Sequence, residues 1–341
     1  MCGIVGYIGN KPAVDILLDG LEQLEYRGYD SSGIAVKCPE EIKVYKAEGK
    51  LKNLREELAP HAYEISKSTL GIGHIRWATH GAPTVVNAHP HTCGCGKLVV
   101  VHNGIIENYK ELKAELEAKG CKLRSQTDTE TVAHLVALIY GEVKDLTKAV
   151  QMATKRLEGA YALCIMHNDE PNKLVATKRN APLVVGVGEN EYYVASDVPA
   201  IIKHTNKAIY IKDNQVVTLT PNSLKLEDEF GGEIIPKVEV LPWEPVALSK
   251  MGFKHFMLKE IHEQPDVIRN ILIGKLHTSD SPIVLDEVKL TKEHLRKLNR
   301  IQVIACGTSL HAAMVGKYII ESFCGIPVDV EASSEYIYRK T

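Results

Sequence analysis

The sequence predicts an α+β chain in two parts: two packed β-sheets with helices on their outer faces, then a separate α/β unit. Three observations carry this. Strand-like runs lie at both ends of the stretch from Ile4 to Leu219, with helical periodicity concentrated in its middle, the order expected of packed layers. Composition shifts at 238–250, where Leu241-Pro242-Trp243-Glu244-Pro245 has the character of a linker. Beyond it, an apolar strand, a tight turn, a helix and a second strand make one βαβ unit of parallel sheet. A length of 341 residues suits two domains, and the boundaries read as 2–237, a linker over 238–255, and 256–341.

Ile4 to Ile8 is apolar enough for a buried strand. Ala13 to Leu24 places Val14, Leu17, Leu18, Leu21 and Leu24 on one helical stripe. A turn-forming run from Glu25 to Gly33 follows, before a strand at Ile34 to Val36 with a hairpin partner at Ile42 to Tyr45. A short helix is expected at Leu51 to Leu58, with strands at Gly71 to Ile75 and Leu98 to His102. Helices are expected at Asn108 to Lys119, from Asp128 through Ile139, and at Leu146 to Leu157. Six strands then close the first part: 162–166, 174–177, 183–187, 192–195, 209–212 and 216–219. In the second part, 256–276 reads as a helix interrupted near Pro265. Ile301 to Ala305 is a strand, Cys306 to Ser309 a turn, Leu310 to Phe323 a helix and Val328 to Val330 a strand. A single βαβ unit leaves strand edges and a sheet face uncovered, so the second domain reads as truncated at Thr341 or completed by something else.

Composition narrows the function. The chain is 45% apolar and 25% charged, with 41 basic and 43 acidic residues and a net charge of -2. Such a balance gives no electrostatic footprint for nucleic acid or an anionic membrane. No apolar run approaches a bilayer span, and Met1 to Asn10 lacks the basic and apolar regions of a secretory signal. The eight cysteines are scattered, which fits reduced thiols in a cytoplasm better than a disulfide framework.

The N-terminus carries the sharpest chemical signal. A small residue after Met1 normally lets the methionine be trimmed, leaving Cys2 at the mature terminus. One residue would then hold a nucleophilic thiol and an α-amino base with a pKa of about 7.7–8.0. An inert, frayed terminus is the alternative, and the strand beginning at Ile4 argues against fraying. Four further clusters stand out. His74-Ile75-Arg76-Trp77-Ala78-Thr79-His80-Gly81 sits at a strand end, where Arg76 suits a carboxylate clamp, although taken alone the segment reads first as an interfacial Arg–Trp stack with a structural histidine. His102 to Asn108 sits at another, where the Asn103 amide and the Gly104 N–H suit an oxyanion hole, although Asn-Gly is also a common turn signal. In Ser125 to Glu130, Asp128 reads as a helix N-cap that is also placed to bind an ammonium. Cys306-Gly307-Thr308-Ser309 precedes a helix N-terminus, a setting that attracts phosphate. By contrast, His89, His91, Cys93 and Cys95 are spaced too tightly for paired zinc knuckles, and the segment reads as a loop between strands.

Together, Cys2-Gly3-Ile4-Val5-Gly6, Tyr26 to Gly33, His74 to Gly81, Asn87-Ala88-His89-Pro90-His91, His102 to Asn108 and Thr127-Asp128-Thr129-Glu130 closely resemble the glutaminase domain of class II, N-terminal nucleophile amidotransferases. Order and spacing are most similar to the glucosamine-6-phosphate synthase family, the isomerizing glutamine–fructose-6-phosphate aminotransferases. The similarity continues through Lys259 to Pro265 into Ala305 to Ser309, which looks like the start of a sugar isomerase (SIS) domain. The resemblance implies a four-layer α-β-β-α sandwich of the N-terminal nucleophile hydrolase type, then an incomplete SIS domain. It implies that Cys2 attacks the side-chain amide of L-glutamine, with Asn103 and Gly104 holding the oxyanion. Arg76 would bind the α-carboxylate and Asp128 the α-ammonium, with Thr79 and His80 lining the pocket. Trp77 would gate the passage of ammonia toward fructose 6-phosphate, whose site would include Thr308 and Ser309. No metal or cofactor is implied, the full-length protein would be a homodimer in the cytoplasm, and the truncated chain would support only glutamine hydrolysis. Another class II amidotransferase, such as one using phosphoribosylpyrophosphate, and a non-catalytic glutamine-binding fragment are the competing readings. The Cys93-Gly94-Cys95 segment is unlike the family's usual loop there.

Overall fold

The computed structural model describes residues 2–78, 81–241, 253–272 and 291–339. The chain divides into two compact units, Met1–Met251 and Gly252–Thr341. In the first, the strands are β1 (Gly3–Ile8), β2 (Ser31–Lys37), β3 (Ile42–Glu48), β4 (Leu70–Arg76), β5 (His91–Thr92), β6 (Leu98–Ile106), β7 (Gly159–His167) and β8 (Leu174–Arg179). Further along come β9 (Val184–Val187), β10 (Tyr192–Ala195), β11 (Lys207–Tyr210), β12 (Val216–Thr220), β13 (Ser223–Glu227), β14 (Glu233–Ile234) and β15 (Glu239–Val240). Its helices are α1 (Ala13–Leu24), α2 (Leu51–Leu58), α3 (Ala62–Ile65), α4 (Tyr109–Ala118), α5 (Asp128–Val143) and α6 (Leu146–Thr154).

Two antiparallel sheets result. One runs β15-β11-β9-β10-β1-β4-β2-β3, the other β14-β13-β12-β8-β7-β6-β5. Side-chain alternation explains how they stack. Along β1, Ile4 and Ile8 face the opposing sheet, and join Ile72 of β4, Val99 and Val101 of β6, and Ala162, Cys164 and Met166 of β7 in an inter-sheet core. Val5 and Tyr7 face the other way, packing with Leu17, Leu21 and Leu24 of α1 and Leu54 of α2. On the far side, Leu98 and Val100 of β6 pack with Val132, Leu135 and Val136 of α5 and Val150 of α6. The layers are therefore α-β-β-α.

Several elements differ from the sequence reading. β6 does not end at His102 but continues through Asn103-Gly104 to Ile106, because each residue keeps a partner on β7, Gly104 opposite Tyr161. Cross-strand pairing overrides the local turn preference. The helix expected over 146–157, α6, ends at Thr154; Leu157, which made it look longer, packs into the same helix-side core from the following turn. Residues 239–241 are not yet linker, since β15 pairs with β11 and Leu241 is buried in the core. Of the expected linker, residues 242–252 lie outside the described residues.

In the second unit, α7 (Phe256–Leu272) runs past Pro265 without interruption; the ring removes one helical hydrogen bond and does not end the helix. A short helix α8 (Lys292–Arg296) precedes β16 (Ile301–Ala305), α9 (Gly307–Cys324), β17 (Val328–Ala332) and α10 (Ser333–Tyr336). β16 and β17 are parallel, Ile301 opposite Val328, so the βαβ unit is present. Its helix starts at Gly307, three residues earlier than the periodicity suggested, because Gly307 at φ 58 carries the chain directly from the strand into the first turn. Among the described residues no helix is long and apolar enough to cross a membrane.

Ile72 is fully buried between the two sheets. Ile72→Ala should lower unfolding free energy by about 2–5 kcal/mol, read from urea midpoints; a change below about 1 kcal/mol would mean that the inter-sheet layer is not packed as described.

Candidate active site

The alternation that builds the inter-sheet core also delivers the site. Cys2 continues the Ile8–Ile4 face of β1, and Arg76 continues the Ile72–His74 face of β4. One step beyond the Gly3–Ile75 pair places the two side by side. Asn103 continues the Val99–Val101 face of β6, from the opposing sheet. The core is apolar in its middle and turns polar at one end.

The Cys2 thiol is held by the Trp77 main chain: the Trp77 N–H donates to Sγ at 3.3 Å, and Sγ lies 3.4 Å from the Trp77 carbonyl oxygen. Burial pushes the thiol pKa up, and the Trp77 N–H acts against it by favouring the thiolate. Asn103 donates from Nδ2 to the Cys2 carbonyl oxygen at 3.1 Å. The orientation of that amide is set from behind. His74 Nε2 lies 3.0 Å from both Asn103 Oδ1 and the His102 carbonyl oxygen; two acceptors require Nε2 to carry the proton, which turns Nδ2 toward Cys2. Beside Asn103, Gly104 sits at φ 125, and a Cβ there would run into the Ala160 carbonyl oxygen. Only glycine keeps this strand paired while exposing its backbone to the pocket.

Arg76 is buried, and its guanidinium donates to the carbonyl oxygens of Ala82 at 3.1 Å and Gly81 at 3.2 Å. Burial lowers its pKa, far too little to discharge an arginine. Asp30 accepts from the Ala78 N–H at 2.8 Å and so pins the chain just after Trp77, whose ring meets Tyr29 edge-on. Asp128 is the first residue of α5, with Thr127 in the cap position. The expected N-cap role is thus corrected: its Oδ2 accepts from the Ile106 N–H at 2.8 Å, tying the helix start to β6. Such a carboxylate keeps acceptor capacity for a cation.

Cys2, Arg76, Trp77, Gly104 and Asp128 line one pocket, together with His89, His102, Thr127 and Thr129, holding ≈ 290 Å³ of empty space. Thr79 and His80 lie outside the described residues. Thr308 and Ser309 are exposed in the first turn of α9, in the second unit.

Sequence reasoning missed the wall behind the pocket. His89 Nε2 and His102 Nδ1 both meet the Thr129 hydroxyl, at 3.2 and 2.9 Å, and His91 Nε2 meets the Thr127 hydroxyl at 3.0 Å. The rings of His74 and His89 lie 4.1 Å apart. The signal is weak: His74 and His102 fall inside motifs singled out for other residues, and His89 and His91 are weighed only as metal ligands. Among the described residues no three His, Cys, Asp or Glu side chains are arranged to hold a metal.

The geometry agrees with sequence comparison. A glutamine amidotransferase domain profile matches residues 83–203, and a SIS domain profile matches 294–341. The glutamine–fructose-6-phosphate aminotransferase (isomerizing) of Symbiobacterium thermophilum is 47% identical over 340 residues, 100% of this chain and 55% of that protein. Over its whole length the chain is similar to this aminotransferase. The enzyme of the same name from Caldanaerobacter subterraneus is also 47% identical, over 99% of this chain and 55% of its own length. The chain therefore spans about 55% of the length of these curated relatives. Among solved structures, an allosteric regulatory enzyme of purine biosynthesis superposes with TM-score 0.56 at 26% identity, covering 67% of this chain and 49% of that one. Glutamine phosphoribosylpyrophosphate amidotransferase from B. subtilis gives TM-score 0.58 at 20% identity, over 96% and 65% of the two chains, a likeness of fold. The sandwich is of the N-terminal nucleophile type found in class II amidotransferases.

The imidazole wall predicts an acid limit to stability. Burial holds His74 down at about 3, and holds His89, His91 and His102 below the ordinary histidine value. The unfolded chain binds their protons near about 6.5, whereas the folded chain does not. Stability is thus intact above that pH and falls as pH drops below it, by up to about 1.4 kcal/mol per pH unit for each histidine. Urea midpoints should decline steeply from pH 6.5 to 5, and His91→Gln should flatten the decline; a midpoint constant over that range would contradict a neutral, buried cluster.

Proposed function

We propose that this chain hydrolyses L-glutamine at Cys2 and that, in the whole protein, the ammonia is transferred to fructose 6-phosphate to give glucosamine 6-phosphate. The observation that supports this most is the meeting of the Cys2 thiol, Arg76, Gly104 and the Asp128 carboxylate on one pocket, with the Asn103 amide bonded to the Cys2 carbonyl beside it. Removal of Met1 would leave the Cys2 α-amino group to take the thiol proton. Sγ then bonds to the glutamine side-chain carbonyl carbon, and the oxyanion accepts from Asn103 Nδ2 and the Gly104 N–H. Collapse of the tetrahedral intermediate breaks the C–N bond, the proton passes to the leaving nitrogen, and ammonia departs from a glutamyl thioester. Water, activated by the same amine, releases glutamate. Arg76 binds the α-carboxylate as a fork and Asp128 the α-ammonium, with Thr79 and His80 lining the pocket and Trp77 at its rim.

Specificity for the sugar acceptor rests on the 47% identity to isomerizing aminotransferases and on the SIS match. In that reading Thr308 and Ser309 belong to the sugar-phosphate site, the N–H groups of the first turn of α9 contributing to anion binding. We further infer a cytoplasmic homodimer for the whole protein, in keeping with the balanced charge and the eight free cysteines.

Glutamate and ammonia release from glutamine should depend on these roles separately. Asn103→Ala should lower kcat about 10²- to 10³-fold, the usual loss for one oxyanion donor, with KM little changed. Asp128→Asn should act mainly on KM. An unaltered kcat for Asn103→Ala, or the absence of any glutamine hydrolysis, would overturn the reading.

A further inference from the structure

The turn between β5 and β6 carries a second pair of reactive groups. Cys93 is buried against the α5 side of the sheet, and Cys95 is exposed. Their sulfurs approach to 2.7 Å, well inside the separation of two sulfurs in ordinary contact. The turn holds them there: the Cys93 N–H donates to the Leu98 carbonyl, the Gly96 N–H to the Cys93 carbonyl, and the Leu98 N–H to Cys93 Sγ at 3.4 Å. Gly96, at φ 72, lets the chain reverse within this span. Of the two thiols, one is therefore presented to solvent and the other is stored directly behind it, as in an attacking and resolving pair.

Beside the pair lies an open groove with ≈ 880 Å³ of empty space, lined by Cys93, Cys95, Cys121, Lys122, Arg124 and His134 among others. Lys122 and Arg124 are exposed, and no carboxylate is among the described lining residues. A groove with one sign of charge raises the local concentration of the opposite ion. Nothing in the glutamine chemistry uses these cysteines, and the inference stands independently of it.

We propose that Cys93 and Cys95 form a redox-active dithiol, oxidised to an intramolecular disulfide by an anionic low-molecular-weight disulfide that docks in the Lys122–Arg124 groove. The Cys95 thiol loses its proton to solvent, and its thiolate bonds to one sulfur of the incoming disulfide, releasing one small thiolate. Cys93 then loses its proton and bonds to Cys95 Sγ, breaking the mixed disulfide and releasing the second small thiolate. Those two thiolates take up the two protons. The protein pair is oxidised by two electrons, and the small disulfide is reduced by two. β5 leads directly into this turn and carries His91, which bonds Thr127 at the start of α5, so the pair borders the wall of the pocket.

The test uses the full chain in glutathione redox buffers, with intact mass and peptide mapping as readouts. Wild type should lose two hydrogens per chain, localised to a Cys93–Cys95 link, with no lasting glutathione adduct and full reversal by dithiothreitol. Cys93→Ser should instead trap a stable glutathione adduct on Cys95, whereas Cys95→Ser should leave Cys93 unmodified. Lys122→Glu with Arg124→Glu should slow oxidation by glutathione disulfide about tenfold at low salt and should not slow oxidation by cystamine, which is cationic. A persistent adduct on Cys95 in wild type, or two free thiols after oxidation, would overturn the dithiol assignment. Equal rates for the charge-reversed and unmutated proteins would overturn the docking groove.

Discussion

Pairing of β1 on both edges is the constraint on which the rest depends. A chain terminus is ordinarily the least ordered part of a domain, yet here the first strand lies inside a sheet, with β4 on one side and β10 on the other. Ile4 and Ile8 are buried between the sheets and Tyr7 beneath α1, each side chain contributing roughly 1.5–3 kcal/mol by leaving water. The Ile4 N–H also donates to the Ser196 hydroxyl at 3.0 Å. Ordering the terminus in this way is what gives Cys2 a fixed position, and every other member of the site is placed relative to it.

The period-2 geometry of strands then does most of the remaining construction. Residues that share a face with the inter-sheet core arrive at one end of the sandwich as Cys2, Arg76 and Asn103. Those on the opposite face of β6 meet α5, where His102 bonds Thr129. Glu130 secures the approach to that helix. Burial would raise its pKa, but the His134 imidazole 3.8 Å away and hydrogen bonds from the Arg124 and Ser125 N–H groups outweigh burial and hold it at about 2. A carboxylate ionised in this way keeps the loop before α5 closed against the helix start, which in turn fixes Asp128.

Much of this was legible in the sequence wherever local and tertiary signals agree. The stripe of α1 and the limits of α2 follow from apolar spacing alone, and Cys2, Arg76, Asn103, Gly104 and Asp128, singled out from motifs, line or border one pocket. What was not legible depends on distant partners. Asn103-Gly104 reads as a turn until β7 is seen to pair across it, and Gly104's positive φ has no trace in composition. The two-residue strands β5, β14 and β15 are too short for any periodicity and exist because a neighbour's edge supplies hydrogen bonds. His74 looks like one more polar residue in a motif, and its control of the Asn103 amide emerges only from the meeting of two sheets. Cys93 and Cys95 looked like failed metal ligands; burial and exposure, not spacing, separate their roles.

The proposed role of Cys2 is that of a mature N-terminal nucleophile aimed at a glutamine side chain. It is tested most directly by intact mass and peptide mapping after treatment with a diazoketone analogue of glutamine, which alkylates a thiol seated at the reacting carbon. The expected product is a chain without Met1 carrying one adduct, on Cys2, with labelling prevented by excess glutamine. Retained Met1, or labelling that falls on another cysteine and ignores glutamine, would contradict it.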